Sequence, residues 1–389
     1  MTGTAGRLQP ASILPSLADK SGLLVVRLRS IGDIVLLTPA LALLKRWRAD
    51  LKISVLVESR FSQLLEASPD IDRIIVYPRP FPRPFPRKTG RRAGLGAFLG
   101  KISELRREKF QVAVNLHGGP TSALLTAACG ARRRVGFAHY PNGFLYHVRV
   151  PDARRILGQE VVHTAEHQAS AFFWLGLPKR EVPPPRLFLR EEWNAAARAK
   201  LQRVGVEPGA PYVVLHPPAL FATKQWPPER YAEMGKMLES EKSLPVVYTC
   251  GPGESHVLDQ VERAAAGTDP QRPIRKLDGL QLSELMGVLA GAKLFVGNDS
   301  GPAHIAGAFG IPVVAVFGSS NSRIWKPWRA EAQVVQNSYP CNPCPGDRCY
   351  EFERPECILS VRAEQVWEAV EKALAGTATE PSIGKRGTI

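Results

Sequence analysis

Two turns in this chain combine residue types with chemical potential, one as a phosphate site and the other as a general base. In the first, Asn298-Asp299-Ser300-Gly301 joins the apolar run Lys293–Gly297 to a helix predicted over Pro302–Phe309 and closed by Gly310, with Ile311–Phe317 returning as a second buried strand. The helix begins where a strand ends, so its unpaired backbone N–H groups form an anion site suited to nucleotide phosphates. The alternative is that Asp299 or Ser300 serves only as an N-cap. In the second, Arg29-Ser30-Ile31-Gly32-Asp33 follows the strand-like run Leu23–Leu28 and leads into an apolar-striped helix over Ile34–Arg48. There Asp33 stands at a strand's carboxyl end beside a helix N-terminus, whose field favours the carboxylate form that a general base requires. A capping Asp is the competing reading.

A third group is chemically distinct. Cys341, Cys344, Cys349 and Cys357 are spaced C-x2-C-x4-C-x7-C in a Pro-rich loop. Four thiols so close could hold a structural zinc or a cluster, or oxidise to disulfides, although the spacing is not that of a paired zinc ribbon.

The elements that must position these turns alternate. Strands are predicted at Leu51–Val57, Ile71–Tyr77, Val112–Leu116, Tyr212–Leu215, Val246–Thr249 and near Ile274. Helices are predicted at Leu99–Glu108, Thr121–Cys129, His163–Leu175, Glu191–Val204, Arg230–Glu239, 255–265, 281–290 and Val361–Ala375. Pro39 implies a kink or a late start in the first helix. Two blocks of β–α alternation, parted by the Pro-rich stretch Pro178–Pro185, predict two doubly wound Rossmann-like domains facing across a cleft. The expected division is a disordered leader over 1–20, an amino-terminal domain over 21–185, a carboxyl-terminal domain over 186–375 and a flexible tail over 376–389. No G-x-G-x-x-G follows the first strand, which argues against a dehydrogenase.

The 389 residues are enough for two cores, and 51 Lys and Arg against 36 Asp and Glu give a net charge of +15. That excess favours anionic partners, and without a zinc-finger, RNP or helix-turn-helix signature nucleic acid is the weaker choice. Pro78–Gly96 (PRPFPRPFPRKTGRRAGLG) reads as a basic loop with Phe81 and Phe85 among its arginines, either a grip on an anionic membrane surface or a solvated insertion. No apolar run is long enough to span a bilayer, and no signal-peptide core opens the chain, so a cytoplasmic protein is expected.

Taken in order, RSIGDIVLLTPAL, TKQWP, GPGE and GNDSGPAHIAGAFGIP resemble glycosyltransferase family 9, the bacterial lipopolysaccharide heptosyltransferases, across roughly residues 23–365. The resemblance implies the GT-B fold, a nucleotide-sugar donor in the carboxyl-terminal domain and a lipopolysaccharide-precursor acceptor in the amino-terminal one. It implies an inverting transfer of heptose from ADP-L-glycero-D-manno-heptose to Kdo–lipid A or the inner core, with no cofactor required for catalysis. By the same match Asp33 is the catalytic base. Thr223, Lys224, Glu254, Asp299, Ser300, Gly301 and His304 contact the donor. Ser30, Arg133, Arg134, His163 and Glu166 are acceptor candidates by sign and placement. A related transferase with another nucleotide sugar, or a non-catalytic nucleotide-sugar or lipid-binding module, are the alternatives; a poised Asp33 argues against the latter.

Overall fold

The computed structural model describes residues 11–78, 91–268 and 273–376. The chain divides into two compact units, Met1–Pro183 and Pro184–Ile389. In the first, the strands are β1 (Gly22–Val26), β2 (Lys52–Glu58), β3 (Arg73–Tyr77), β4 (Val112–Asn115), β5 (Arg133–Phe137) and β6 (Val148–Val150). Its helices are α1 (Ile31–Val35), α2 (Thr38–Trp47), α3 (Arg91–Arg107), α4 (Pro120–Ala128), α5 (Ala153–Leu157) and α6 (Thr164–Trp174). The second unit has β7 (Val213–His216), β8 (Val246–Thr249), β9 (Arg275–Leu277), β10 (Leu294–Asn298), β11 (Val313–Val316) and β12 (Ala332–Val335). Around them lie α7 (Glu191–Arg203), α8 (Pro228–Lys242), α9 (Ser255–Thr268), α10 (Leu282–Ala290), α11 (Gly301–Ala308), α12 (Ser322–Trp325), α13 (Glu356–Leu359) and α14 (Ala363–Gly376).

Both sheets are wholly parallel and share one order: β3-β2-β1-β4-β5-β6 and β12-β11-β10-β7-β8-β9. The order reverses between β1 and β4 in one unit and between β7 and β10 in the other. Such a reversal opens a crevice at the carboxyl ends of the central strands, where doubly wound proteins bind ligands. Helices cover both faces, so the central strands read as continuous apolar runs: Leu23–Val26 and Val213–Leu215 are fully buried. Leu24, Val26, Leu56, Ile75 and Phe110 pack in the first core, and Val213, Leu215, Trp226, Tyr231 and Val296 in the second.

The structure differs from the sequence expectation in several places. The helix expected over Ile34–Arg48 is two pieces, α1 and α2, because Pro39 falls in the first turn of α2 and the helix restarts there. Two short strands, β6 and β12, were not anticipated; β6 pairs with β5 and forms the edge of the first sheet, and β12 forms an edge of the second. Within residues 11–20 the chain is tied down at its start: Ala11 N donates to Trp174 O at 2.9 Å, Leu14 N to Leu175 O at 2.9 Å, and Leu14 is fully buried against the end of α6. The basic loop is shorter than expected, since α3 already starts at Arg91; its residues 79–90, residues 1–10 of the expected leader and residues 377–389 of the tail lie outside the described residues. Among the described residues no helix is long and apolar enough to cross a membrane.

Candidate active site

In the second unit, β10 ends in Asn298, whose side chain is fully buried and ties three segments together. Its Nδ2 donates to Pro217 O at 2.7 Å and its Oδ1 accepts from Trp226 N at 3.0 Å, fixing the loop after β7 beside the loop after β10. This lock places Lys224 against Asp299, with Nζ 2.7 Å from Oδ2. Asp299 is nearly buried (6 % side-chain exposure) whereas Lys224 keeps 24 %, so the ammonium retains access to solvent or to a ligand. Ser300 is the N-cap of α11, yet its side chain makes no cap bond and its Oγ is buried with no hydrogen-bond partner. A buried hydroxyl without a partner is costly unless something else satisfies it. Together with the free N–H groups opening at Gly301, it makes a cradle for an anionic oxygen. His304 lies buried one turn into the same helix.

Two expected donor residues have other jobs here. Thr223 is buried; its hydroxyl donates to Gly346 O and accepts from Ser319 Oγ at 3.1 Å, so it faces the cysteine loop. Glu254 folds back on its own turn, one carboxylate oxygen accepting from Gly251 N at 2.8 Å.

The four cysteines are all free and, with Thr223 and Ser319, line one cavity of ≈ 50 Å³. They do not fit a metal as placed: among the described residues no group of three or more His, Cys, Asp or Glu is arranged to hold an ion. A structural metal, one of the alternatives for these thiols, has no support among the described residues. The loop is instead held by protein contacts, Cys344 N to Ser319 O at 3.2 Å and Asn342 Nδ2 to Gly318 O at 2.9 Å.

In the first unit, Arg27 and Asp33 flank the carboxyl end of β1. The Arg27 guanidinium bonds Leu116 O beyond β4 and forms an ion pair with Asp33, both side chains being mostly buried. Ser30 donates to Asp33 Oδ2 from its backbone N at 3.3 Å and its Oγ at 3.1 Å. Gln168 Nε2, from α6, donates to Asp33 O at 3.0 Å. With only five residues, α1 supplies little dipole, so side chains rather than a helix field orient the carboxylate. Asp33 does close a capping turn, but the capping and chemical roles are compatible.

The other acceptor candidates fare differently. Arg133 and Arg134 open β5, in register with Val112 and Ala113 at the start of β4; they sit at the amino edge of the sheet, away from Asp33. Arg133 is exposed, and Arg134 Nε donates to Leu145 O at 2.9 Å. His163 is the N-cap of α6, its Nδ1 accepting from Ala165 N at 3.2 Å, while Glu166 accepts from His163 N at 3.2 Å. That pair is a capping box, a structural device.

What sequence reasoning missed lies at the carboxyl ends of β4 and β5 and on α6: His117, His139 and His167, beside Arg27. Burial, with the Arg27 and Arg29 charges, pushes the His117 imidazole down to about 4. Burial, with the charge of His139 and then Arg27, brings His167 to about 4. The available signals were a charged residue ending an apolar strand (LLVVR) and histidines directly after two strands (NLH and GFAH).

Two doubly wound units, one with an anion cradle at its switch point and the other with a held carboxylate at its own, define a GT-B glycosyltransferase. Comparison with known proteins narrows the class. Residues 100–353 match the model of "Glycosyltransferase family 9 (heptosyltransferase)". Lipopolysaccharide heptosyltransferase 3 of Escherichia coli (strain K12) is 28% identical over 348 residues, covering 88% of this chain and 95% of the relative. Among solved structures, a glycosyl transferase family 9 protein from Veillonella parvula superposes with a TM-score of 0.79 at 22% identity, covering 92% of this chain and 99% of that one. E. coli ADP-heptose lps heptosyltransferase II follows at 0.74 and 20% identity, covering 92% and 100%. This chain belongs to glycosyltransferase family 9 and is a heptosyltransferase.

Proposed function

We propose that this heptosyltransferase of lipopolysaccharide synthesis takes ADP-L-glycero-D-manno-heptose as donor and a Kdo–lipid A or inner-core hydroxyl as acceptor. The names of two similar proteins support this: one is an ADP-heptose lps heptosyltransferase, the other a lipopolysaccharide heptosyltransferase. The observation that carries the reading is the cradle at α11, where the orphaned Ser300 hydroxyl and the Gly301 N–H open the helix beside Asp299, which holds the partly exposed Lys224 ammonium, a set suited to a diphosphate. Thr223 and Glu254 shape that place through their loops.

In the proposed reaction Asp33 takes the proton of the acceptor hydroxyl as its oxygen attacks the anomeric carbon. The bond from that carbon to the diphosphate breaks, and ADP leaves with its new charge on Lys224 and the amino end of α11. One displacement with one base and no covalent intermediate inverts the anomeric centre. Arg27, Ser30 and Gln168 hold Asp33 in position for it. We place the enzyme in the cytoplasm at the inner face of the inner membrane, where the +15 charge favours the anionic acceptor.

The test is ADP release by purified protein given ADP-heptose and Kdo–lipid A, beside an Asp33→Asn variant. The variant should lose at least about a hundredfold in rate, the lower range for a general base, while ADP binding is unchanged. Full activity in the variant removes Asp33 from the chemistry, and release only from a different donor in a sugar-nucleotide panel reassigns the substrate.

A further inference from the structure

The sheet edge that carries Asp33 also carries a row of rings. β5 ends in Phe137, and the chain continues through His139 and Tyr140. From α6, His167 lies against Phe137 with ring centroids 4.1 Å apart and planes 24° from parallel. His139 is 5.7 Å from His167 and 5.4 Å from Phe137, and Tyr140 stands edge-on to it at 4.9 Å. Tyr140 also packs over Gly118, directly after His117: a Cβ on that glycine would come within 2.6 Å of the tyrosine ring, and its φ of +75° suits glycine as well.

Exposure is graded along the row. Phe137 is buried, His167, Tyr140 and His117 are half-buried, and His139 is exposed. An aromatic group serving only the core would be closed over and apolar. This one opens outward and becomes more polar as it does so. Two acceptor atoms beside it lack hydrogen-bond partners although buried: His117 Nδ1 and Gln168 Oε1. Both are next to groups that are firmly fixed, since the His117 imidazole bonds the Arg29 backbone and Gln168 bonds Asp33 O. Flat ring faces and unsatisfied acceptors suit a pyranose, which offers a C–H face for stacking and hydroxyl groups as donors. A bare phosphate would want cations and N–H donors instead.

We propose that His139 and His167, backed by Phe137 and flanked by Tyr140 and His117, form the platform on which the acceptor sugar ring lies while Asp33 takes its proton. This rests on the reading of Asp33 as the base, and it replaces Arg133, Arg134, His163 and Glu166 as the acceptor site. His139 and His167 supply the stacking surface; His117 and Gln168 accept from hydroxyls and set which one turns towards Asp33.

The experiment measures initial rates with ADP-heptose saturating and deacylated lipopolysaccharide core oligosaccharide varied. Wild type is compared with His139→Ala, His139→Phe and His167→Leu, alongside calorimetric titration of ADP and thermal melting of each. Loss of one stacked ring raises the acceptor KM about tenfold in His139→Ala and His167→Leu. His139→Phe, which keeps a flat face, recovers most of that loss, while ADP affinity and melting temperature stay at the wild-type values. An acceptor KM unchanged in both variants overturns the platform, and so does a parallel fall in ADP affinity and melting temperature, which marks the rings as structural. If Asp33→Asn is inactive while His139→Ala and His167→Leu behave as wild type, only the platform fails. If wild type neither binds nor converts the oligosaccharide, or if Asp33→Asn is fully active, the underlying reading fails with it.

Discussion

Removing the Lys224 side chain tests the anion cradle most directly. In Lys224→Ala the nearly buried Asp299 carboxylate loses its partner at 2.7 Å. Breaking a fully buried pair costs about 3–5 kcal/mol; with the lysine partly in water we expect about 1–2 kcal/mol, or roughly 2–8 °C in melting temperature for a unit of this size. The nucleotide effect is separate. A hydrogen bond from an ammonium to a diphosphate contributes about 1.5–3 kcal/mol, so the Kd for ADP should rise about 10- to 150-fold. With ADP at a hundred times the wild-type Kd, binding stabilises wild type by about 2.7 kcal/mol. If the Kd has risen about a hundredfold, the same ADP stabilises the variant by only about 0.4 kcal/mol. The assay is thermal melting with and without ADP, supported by calorimetry. The ADP-induced rise should fall from roughly 5–10 °C to about 1–2 °C. A variant that melts lower but keeps the full ADP-induced rise would refute the cradle and leave Lys224 as no more than the counter-ion of Asp299.

Three further outcomes follow from the same contacts. Gly318→Ala would drive a Cβ into the backbone oxygen of Thr223 and the side chain of Ile358, pushing the Lys224 loop out of place. Calorimetry should show weaker ADP binding with Asp33 untouched, and unchanged ADP affinity would refute the coupling. Burial pushes the His216 pKa down to about 3 from an ordinary 6.5, so between those values the unfolded chain binds a proton that the native state refuses. Stability should therefore fall as pH drops from 6.5 towards 3, and His216→Asn should flatten that slope in melting curves; an unchanged slope counts against it. Burial raises the thiol pKa of Cys129, Cys250 and Cys357, whereas Cys341, Cys344 and Cys349 are half-exposed. Brief iodoacetamide treatment followed by peptide mass spectrometry should label the second group first, and faster labelling of Cys357 would mean that the loop opens.

The fold was legible because parallel sheets announce themselves. Leu23–Val26, Val112–Asn115, Val213–Leu215 and Leu294–Val296 are apolar throughout, as strands buried on both faces must be. The strands that escaped notice, β6 and β12, have three and four residues and exposed or half-exposed positions, so they lack that signature. The turn after β10 was legible for a related reason: Asp-Ser-Gly-Pro has turn and helix-start chemistry that few other sequences satisfy. The acceptor side proposed above was not. Its residues come from β1, β4, β5 and α6, up to 140 positions apart from Arg27 to His167, and no local pattern records that parallel register puts those strand ends side by side. Arg133 and Arg134 looked suitable by charge, but they begin β5 where His139 follows its end.

The contrast between Ser30 and Ser300 shows what separates a ligand site from a well-made turn. Both are N-cap residues after a central strand of a doubly wound sheet, and both precede a glycine within two positions. Ser30 directs its hydroxyl to Asp33, so its turn is complete without a ligand. Ser300 directs its own at nothing, although burial makes an unmatched hydroxyl expensive by about 1–3 kcal/mol. The same distinction sorts the histidines: the Nδ1 of His163 closes its helix by accepting from Ala165, whereas that of His117 is left open. The open Ser300 hydroxyl and His117 Nδ1 follow β10 and β4, strands that flank the two points where the strand order reverses. A diphosphate in the second unit and a hydroxyl-bearing ring in the first would supply the missing partners, and those are the two substrates that a heptosyl transfer brings together.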